Sequence, residues 1–180
     1  MVRSDWVVGG DRHAAAAERI YAAATDLVLR EGLDAVDIDT LAAAVHCSRA
    51  TVYRYAGGKA QIRDAVLMRL SAGIIGAVRD AVDGLVGRQR IVTAISVALE
   101  QIRSERLRRL MFASRVPQVG GLHSSPVLSR LAADLTGITD DDPHAAQWIV
   151  RVVVSLAYWP IDDPRDEEEA IRRFVAPAFG

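Results

Sequence analysis

Apolar residues recur along this chain at the spacing of an α-helix and almost nowhere at that of a strand. Ile20, Ala24, Leu27 and Val28 follow an i, i+4, i+7, i+8 pattern, and Gly32 stands where a helix ends on glycine. This predicts a first helix over about 12–31, preceded by a flexible tail over 1–11 that holds Gly9-Gly10. Ile38, Leu41, Ala42 and Val45 predict a short second helix capped by Asp37. Ser48 caps a third, which must stop near Gly57-Gly58. From Lys59 the pattern runs long, through Ile62, Val66, Leu70, Ile74, Val78 and Val82. Ile91, Ile95, Ala98, Leu99 and Ile102 predict a fifth helix, and Leu107, Leu110 and Met111 a sixth that ends before Pro117. Three more open on a cap followed by proline: Ser125-Pro126, Asp142-Pro143 and Asp163-Pro164. The last carries acids at 166–169 and Arg172-Arg173 further on, an order that suits the helix macrodipole. It predicts Glu168–Arg172 and Glu169–Arg173 pairs at i, i+4. No run alternates with period two between turns. The expected fold is all-α, with about nine helices.

Composition narrows the class. With 180 residues, 51% of them hydrophobic, the chain can bury a real core. Its net charge of −1 confines any nucleic-acid site to a local patch. One cysteine, Cys47, leaves no disulfide framework and points to a reducing compartment. The N-terminus has no apolar signal core, and the longest apolar stretch, "WIVRVVVSLAYW" (148–159), is broken by Arg151 and too short to span a bilayer. The expectation is a soluble, cytoplasmic protein with no membrane partner. There is no nucleophile–base pair, metal-spaced cluster or phosphate loop, so no catalytic residue, cofactor or metal is expected. His46-Cys47 has no further ligands at suitable spacing, and Cys47 reads as a small core residue.

One patch does stand out. Residues 40–63 hold Arg49, Arg54, Lys59 and Arg63 and no acid, a local charge of +4, and Lys59 is the sole lysine of the chain. Two short helices joined tightly behind a longer one form a helix-turn-helix, whose second helix can lie in a DNA major groove. Val52 would anchor that helix. Arg49, Thr51, Tyr53, Arg54 and Tyr55 would surround the anchor with groups able to bond bases or phosphates, and Ala50 is small enough to meet a thymine methyl. Taken alone, these residues fit a solvated basic helix equally well.

The run "LAAAVHCSRATVYRYAGGKAQI" (41–62), preceded by "IYAAATDLVLREGLDAVDI" (20–38), resembles the DNA-binding domain of the TetR family of bacterial transcriptional regulators. The resemblance covers about 50 residues. It implies a three-helix helix-turn-helix domain over 12–58 and a helical ligand-binding and dimerisation domain over 59–180. It implies contacts to a double-stranded operator from Thr40, Ser48, Arg49, Ala50, Thr51, Tyr53, Arg54, Tyr55 and Lys59, with Lys59 on a phosphate at a helix N-terminus. Three positions depart from the family pattern. His46 replaces a turn glycine, Ala56 replaces an anchoring aromatic, and Asp37 replaces a threonine where it caps well but would repel a nearby phosphate. A helical enzyme and a protein–protein adaptor that has lost DNA binding are the rival classes.

Beyond about 82 the family resemblance gives only an expectation of type. The helix from 143 is apolar almost all round, so one side should need a partner subunit as cover. Val152, Val153 and Trp159, with Phe174 on the last helix, are the candidate homodimer contacts, and Arg151 should be paired at or beside that interface. Met68, Met111, Phe112, Trp148 and Tyr158 are candidate walls of a pocket for a small-molecule effector of apolar character. The same residues also fit an ordinary core.

Overall fold

The backbone enters its first helix, α1 (Trp6–Glu31), earlier than the apolar pattern indicates. Residues expected in the tail form its opening turns, because a glycine pair weakens a helix by about 1 kcal/mol per residue without forbidding it. The computed structural model describes residues 6–104, 125–138 and 143–179. The chain divides between Arg69 and Leu70 into two compact units.

In the first unit α1 is followed by α2 (Ile38–Ala44), α3 (Arg49–Ala56) and the start of α4 (Lys59–Ala81). Ile20, Ala24, Leu27 and Val28 of α1 are buried, as are Leu41 and Ala42 of α2, Val52 of α3, and Ile62 and Val66 of α4. Each helix thus contributes its predicted apolar stripe to one core. Ion pairs bind α4 to the rest of the unit. Arg69 pairs with Glu18 in two-pronged fashion, one prong at 2.7 Å, and its guanidinium lies 5.3 Å from the centre of the Tyr21 ring. Those hydrogen bonds hold the Glu18 carboxyl below its ordinary range. Arg63 pairs with Asp34.

The second unit contains the rest of α4, then α5 (Gly87–Ile102), α6 (Pro126–Thr136), α7 (Pro143–Tyr158) and α8 (Pro164–Ala170). Each of the last three begins on its proline, and Ser125 and Asp163 cap α6 and α8 through their side chains. Ile91, Val92, Ile95 and Leu99 of α5 bury against Ile149 and Ala157 of α7 and against Ile171 and Ala176. Arg90 donates to the carbonyls of Asp134 and Leu135, each at 3.0 Å, and so satisfies the last turn of α6. Gly137 ends that turn in the left-handed region at φ 72°, with the Arg90 side chain 3.1 Å from where a Cβ would stand. The helix expected at Leu107, Leu110 and Met111, ending before Pro117, lies outside the described residues.

The end of the chain departs from expectation. Instead of one continuous helix, α8 passes into a π-turn over Ile171–Val175 and a 3-10 turn over Ala176–Phe179. Arg172 takes both acids, Glu168 and, at 2.9 Å, Glu169, while Arg173 lies 5.5 Å over the Phe174 ring instead of reaching Glu169. The buried Glu167 anchors this end. It receives Arg103 at 2.8 and 2.7 Å and the Ile161 amide at 3.3 Å, and Arg103 also donates to the Leu156 carbonyl at 2.9 Å. These bonds hold the Arg103 guanidinium in its charged form, its pKa raised by Glu167. Among the described residues there is no strand, and no helix is long and apolar enough to cross a membrane.

Candidate nucleic-acid interface

Three short-range devices place α3. Asp37 caps α2, its carboxylate accepting from the amides of Asp39 at 3.0 Å and Thr40 at 3.2 Å. The Thr40 amide contributes most to holding the Asp37 carboxyl below its ordinary range. The Thr40 hydroxyl also donates to Asp37, at 3.4 Å. The chain then turns at His46, the one non-glycine residue with positive φ, at 54°, among the described residues. Histidine visits this left-handed region more readily than most side chains, which is how it replaces the glycine. The turn is closed by the Cys47 amide, which donates to the Ala42 carbonyl at 2.9 Å. Ser48 caps α3, accepting from the Thr51 amide at 3.2 Å, and its hydroxyl shares a 2.9 Å bond with that of Thr51. Ser48 and Thr51 are therefore engaged with each other as well as exposed or half-exposed to solvent.

The far end of α3 is equally defined. Gly57 carries φ 82°, and a Cβ there would run into the Gln61 side chain. Gln61 reaches back three residues to accept from the Gly58 amide at 2.7 Å. That leaves Lys59 as the first residue of a 23-residue helix, exposed, with the unpaired amides of the first turn around it. Ala56 is buried, and its carbonyl accepts from the hydroxyl of Tyr21 on α1 at 3.4 Å.

On α3 itself Val52 is fully buried and Arg49, Ala50, Tyr53 and Arg54 are exposed. Positions 49, 50, 53 and 54 are neighbours at i, i+3 and i+4, so they form one face. Tyr55 turns away from that face: it is half-buried, its ring 4.7 Å from that of His13 on α1. The positive patch is thinner than residues 40–63 imply. Arg49 Nε lies 3.1 Å from Asp39 Oδ1, and Arg63 is taken by Asp34. Adding those two acids to the four cations leaves +2, carried by Arg54 and Lys59. Sequence reasoning missed Asp39, Tyr21 and Gln61. Only Gln61 had a local signal, the spacing of a capping box from Gly58.

In the second unit the candidate contacts separate. Trp148 on α7 and Trp159 just after it are exposed, at 51% and 65%, and Phe174 beyond α8 at 73%. Trp148, Arg151, Val152 and Phe174 line one open groove of 380 Å³ along α7 and the π-turn. Val153 instead packs onto the core beside Ile149 and Ala157. The helix expected to be covered on every side has one bare side. Arg151 is exposed there and has no ion-pair partner among the described residues. Of the candidate effector-pocket residues, Met68 is exposed in the first unit, and Met111 and Phe112 lie outside the described residues. Trp148 faces the groove, and Tyr158 is half-buried with its ring 5.9 Å from that of Trp159. Burial pushes the Tyr158 phenol up. Among the described residues no group of three or more side chains could hold a metal ion.

Residues 20–66 match the family model for bacterial regulatory proteins of the tetR family. An uncharacterised HTH-type transcriptional regulator of Mycobacterium tuberculosis is 31% identical over 188 aligned positions, covering 98% of this chain and 91% of that protein. Among solved structures, the R. erythropolis transcriptional repressor QsdR superposes with a TM-score of 0.60 at 19% identity, covering 92% of this chain and 95% of that one. The repressor AlkX from a Dietzia species superposes with a TM-score of 0.52 at 21% identity, covering 89% and 93%.

Proposed function

Because the chain belongs to the TetR family and is a DNA-binding transcriptional regulator, we propose that it works as a homodimeric, ligand-responsive repressor on a palindromic operator. The observation that carries this reading is the face formed by Arg49, Ala50, Tyr53 and Arg54, with exposed Lys59 at the first residue of α4. Arginine in the major groove can read guanine, Ala50 can meet a thymine methyl, and the Tyr53 hydroxyl can reach a phosphate. Lys59 binds one phosphate, assisted by the free amides of the α4 N-terminus. Thr40, Ser48 and Thr51 add backbone contacts with whatever hydrogen-bonding capacity their caps leave. Tyr55 acts from behind, through His13 and α1. Residues 12–58, with Lys59 at the start of α4, carry operator binding, and the rest of residues 59–180 carries the dimer contact and the effector site.

The bare side of α7 supports the dimer. Trp148, Val152 and Trp159, joined by Phe174, form an apolar stripe that a second copy covers, and Arg151 beside them finds its partner on that copy. Two recognition helices then meet half-sites about one DNA turn apart. A small molecule with an apolar body that binds a dimer of different spacing releases the operator by its preference for that state.

The test is selection of duplexes from a randomised pool by the wild-type protein, followed by sedimentation of free and bound protein. The expected result is a palindromic consensus and one dimer per site. A wild-type protein that is monomeric at micromolar concentration, or that enriches no sequence, would overturn this reading.

A further inference from the structure

We propose that the cavity between the start of α5, the end of α6, the start of α7 and Phe179 binds an organic carboxylate with an apolar body. This rests on the ligand-responsive reading above and gives its effector a place and a chemistry. The cavity has a volume of about 840 Å³, within the range of small-molecule sites. Ile91, Ile138, Trp148 and Phe179 give it apolar wall. Its ionisable wall groups are Arg90 and His144, and no acid lines it among the described residues. Of the pocket residues expected from sequence, only Trp148 stands here among those described.

Arg90 is built into this wall. Its Nε and Nη2 donate to the carbonyls of Leu135 and Asp134, each at 3.0 Å. These neutral acceptors hold the guanidinium without cancelling its charge. The Asp134 carboxylate is engaged elsewhere, 3.2 Å from Arg79. Arg90 Nη1 has no hydrogen-bond partner among the described residues, and the group has no ion-pair partner there. A guanidinium already ordered by the protein meets an anion at a lower entropy cost, and a carboxylate makes the stronger, charge-assisted bond to it. The ligand's apolar body then lies along Ile91, Ile138 and Phe179. Trp148 lines both this cavity and the α7 groove proposed for the second copy. Ligand and partner subunit thus act on one side chain, and each changes the affinity for the other.

Calorimetric titration of the full chain with decanoate tests the site, with 1-decanol as the uncharged probe of equal length. Wild type should take one decanoate per chain, bound about tenfold tighter than decanol. Arg90→Met should abolish that preference and keep decanol binding, whereas mere loosening of α6 would weaken both probes alike. Ala145→Phe fills the cavity from α7 with Arg90 in place, and should lose both probes. Circular dichroism checks each fold, and Ala145→Phe decides alone if Arg90→Met does not fold. Wild type that prefers decanol or neither probe overturns the site. So does a preference unchanged in folded Arg90→Met, or binding unchanged in folded Ala145→Phe; operator selection would still stand. Saturating decanoate should also lower operator affinity about fivefold or more in a gel shift. Decanoate that binds in the cavity and leaves operator affinity unchanged overturns the ligand response and leaves the site.

Discussion

Lys59 separates two kinds of contact. Its ammonium stands at a helix start and, like the Arg54 guanidinium, has no ion-pair partner among the described residues, whereas Arg49 and Arg63 are each paired with an aspartate. Lys59→Ala should therefore weaken binding by a similar factor on every duplex and lower the slope of log affinity against log salt by about one unit. A gel-shift titration from low to high salt reads both. Unchanged affinity and slope would remove the phosphate contact from Lys59. At Asp37 the capping amides depress the folded pKa, so the cap's contribution is complete above the ordinary aspartate range. It disappears only as pH falls through that lowered value. The departure at His46 is absorbed by similarly local means, a tolerated positive φ.

At the scale of elements, what could be read beforehand was whatever depends on nearest neighbours. Asp37 and Ser48 cap the helices they precede, and Pro126, Pro143 and Pro164 each open one, because caps and proline act within a single turn. The periodic positions Ile20, Val52, Ile62 and Ile95 are buried for the same reason. Interactions across the chain had no such signature. The break of the last helix into a π-turn follows from docking Ile171 and Ala176 into the α5 core, a tertiary demand that overrides helical propensity. Glu167 looked like one acid among several in a first turn, yet it is the buried one, paired with Arg103 sixty-four positions away. Glu167→Ala would strand the partly buried Arg103 charge and the Ile161 amide. It should cost about 3 kcal/mol and lower Tm by about 10 °C. Glu167→Gln, which keeps the acceptor oxygen, should lose less. Calorimetry of the two variants decides, and equal melting of Glu167→Ala and wild type would remove the pair from the stability of this unit.

For the molecule as a whole, the two valines at the middle of α7 divide folding from assembly. Val152 lines the bare groove, and Val153, about 100° round the helix, packs onto the core. Val152→Glu should keep its circular dichroism, sediment as a monomer and lose selective operator binding, since one half-site supplies too few contacts. Val153→Glu should instead lower the melting temperature, because it puts a charge among apolar side chains. A folded Val152→Glu variant that still runs as a dimer would move the interface elsewhere.

An acylating reagent finds a single side-chain amine in this chain, that of Lys59. It is exposed and stands where α4 begins, the place proposed to hold a phosphate. One acetyl group there erases a positive charge without touching any core contact. The same amine is a built-in footprinting probe. Operator should shield it from brief acetylation, and the fraction labelled, read by mass spectrometry of one peptide, would report occupancy directly.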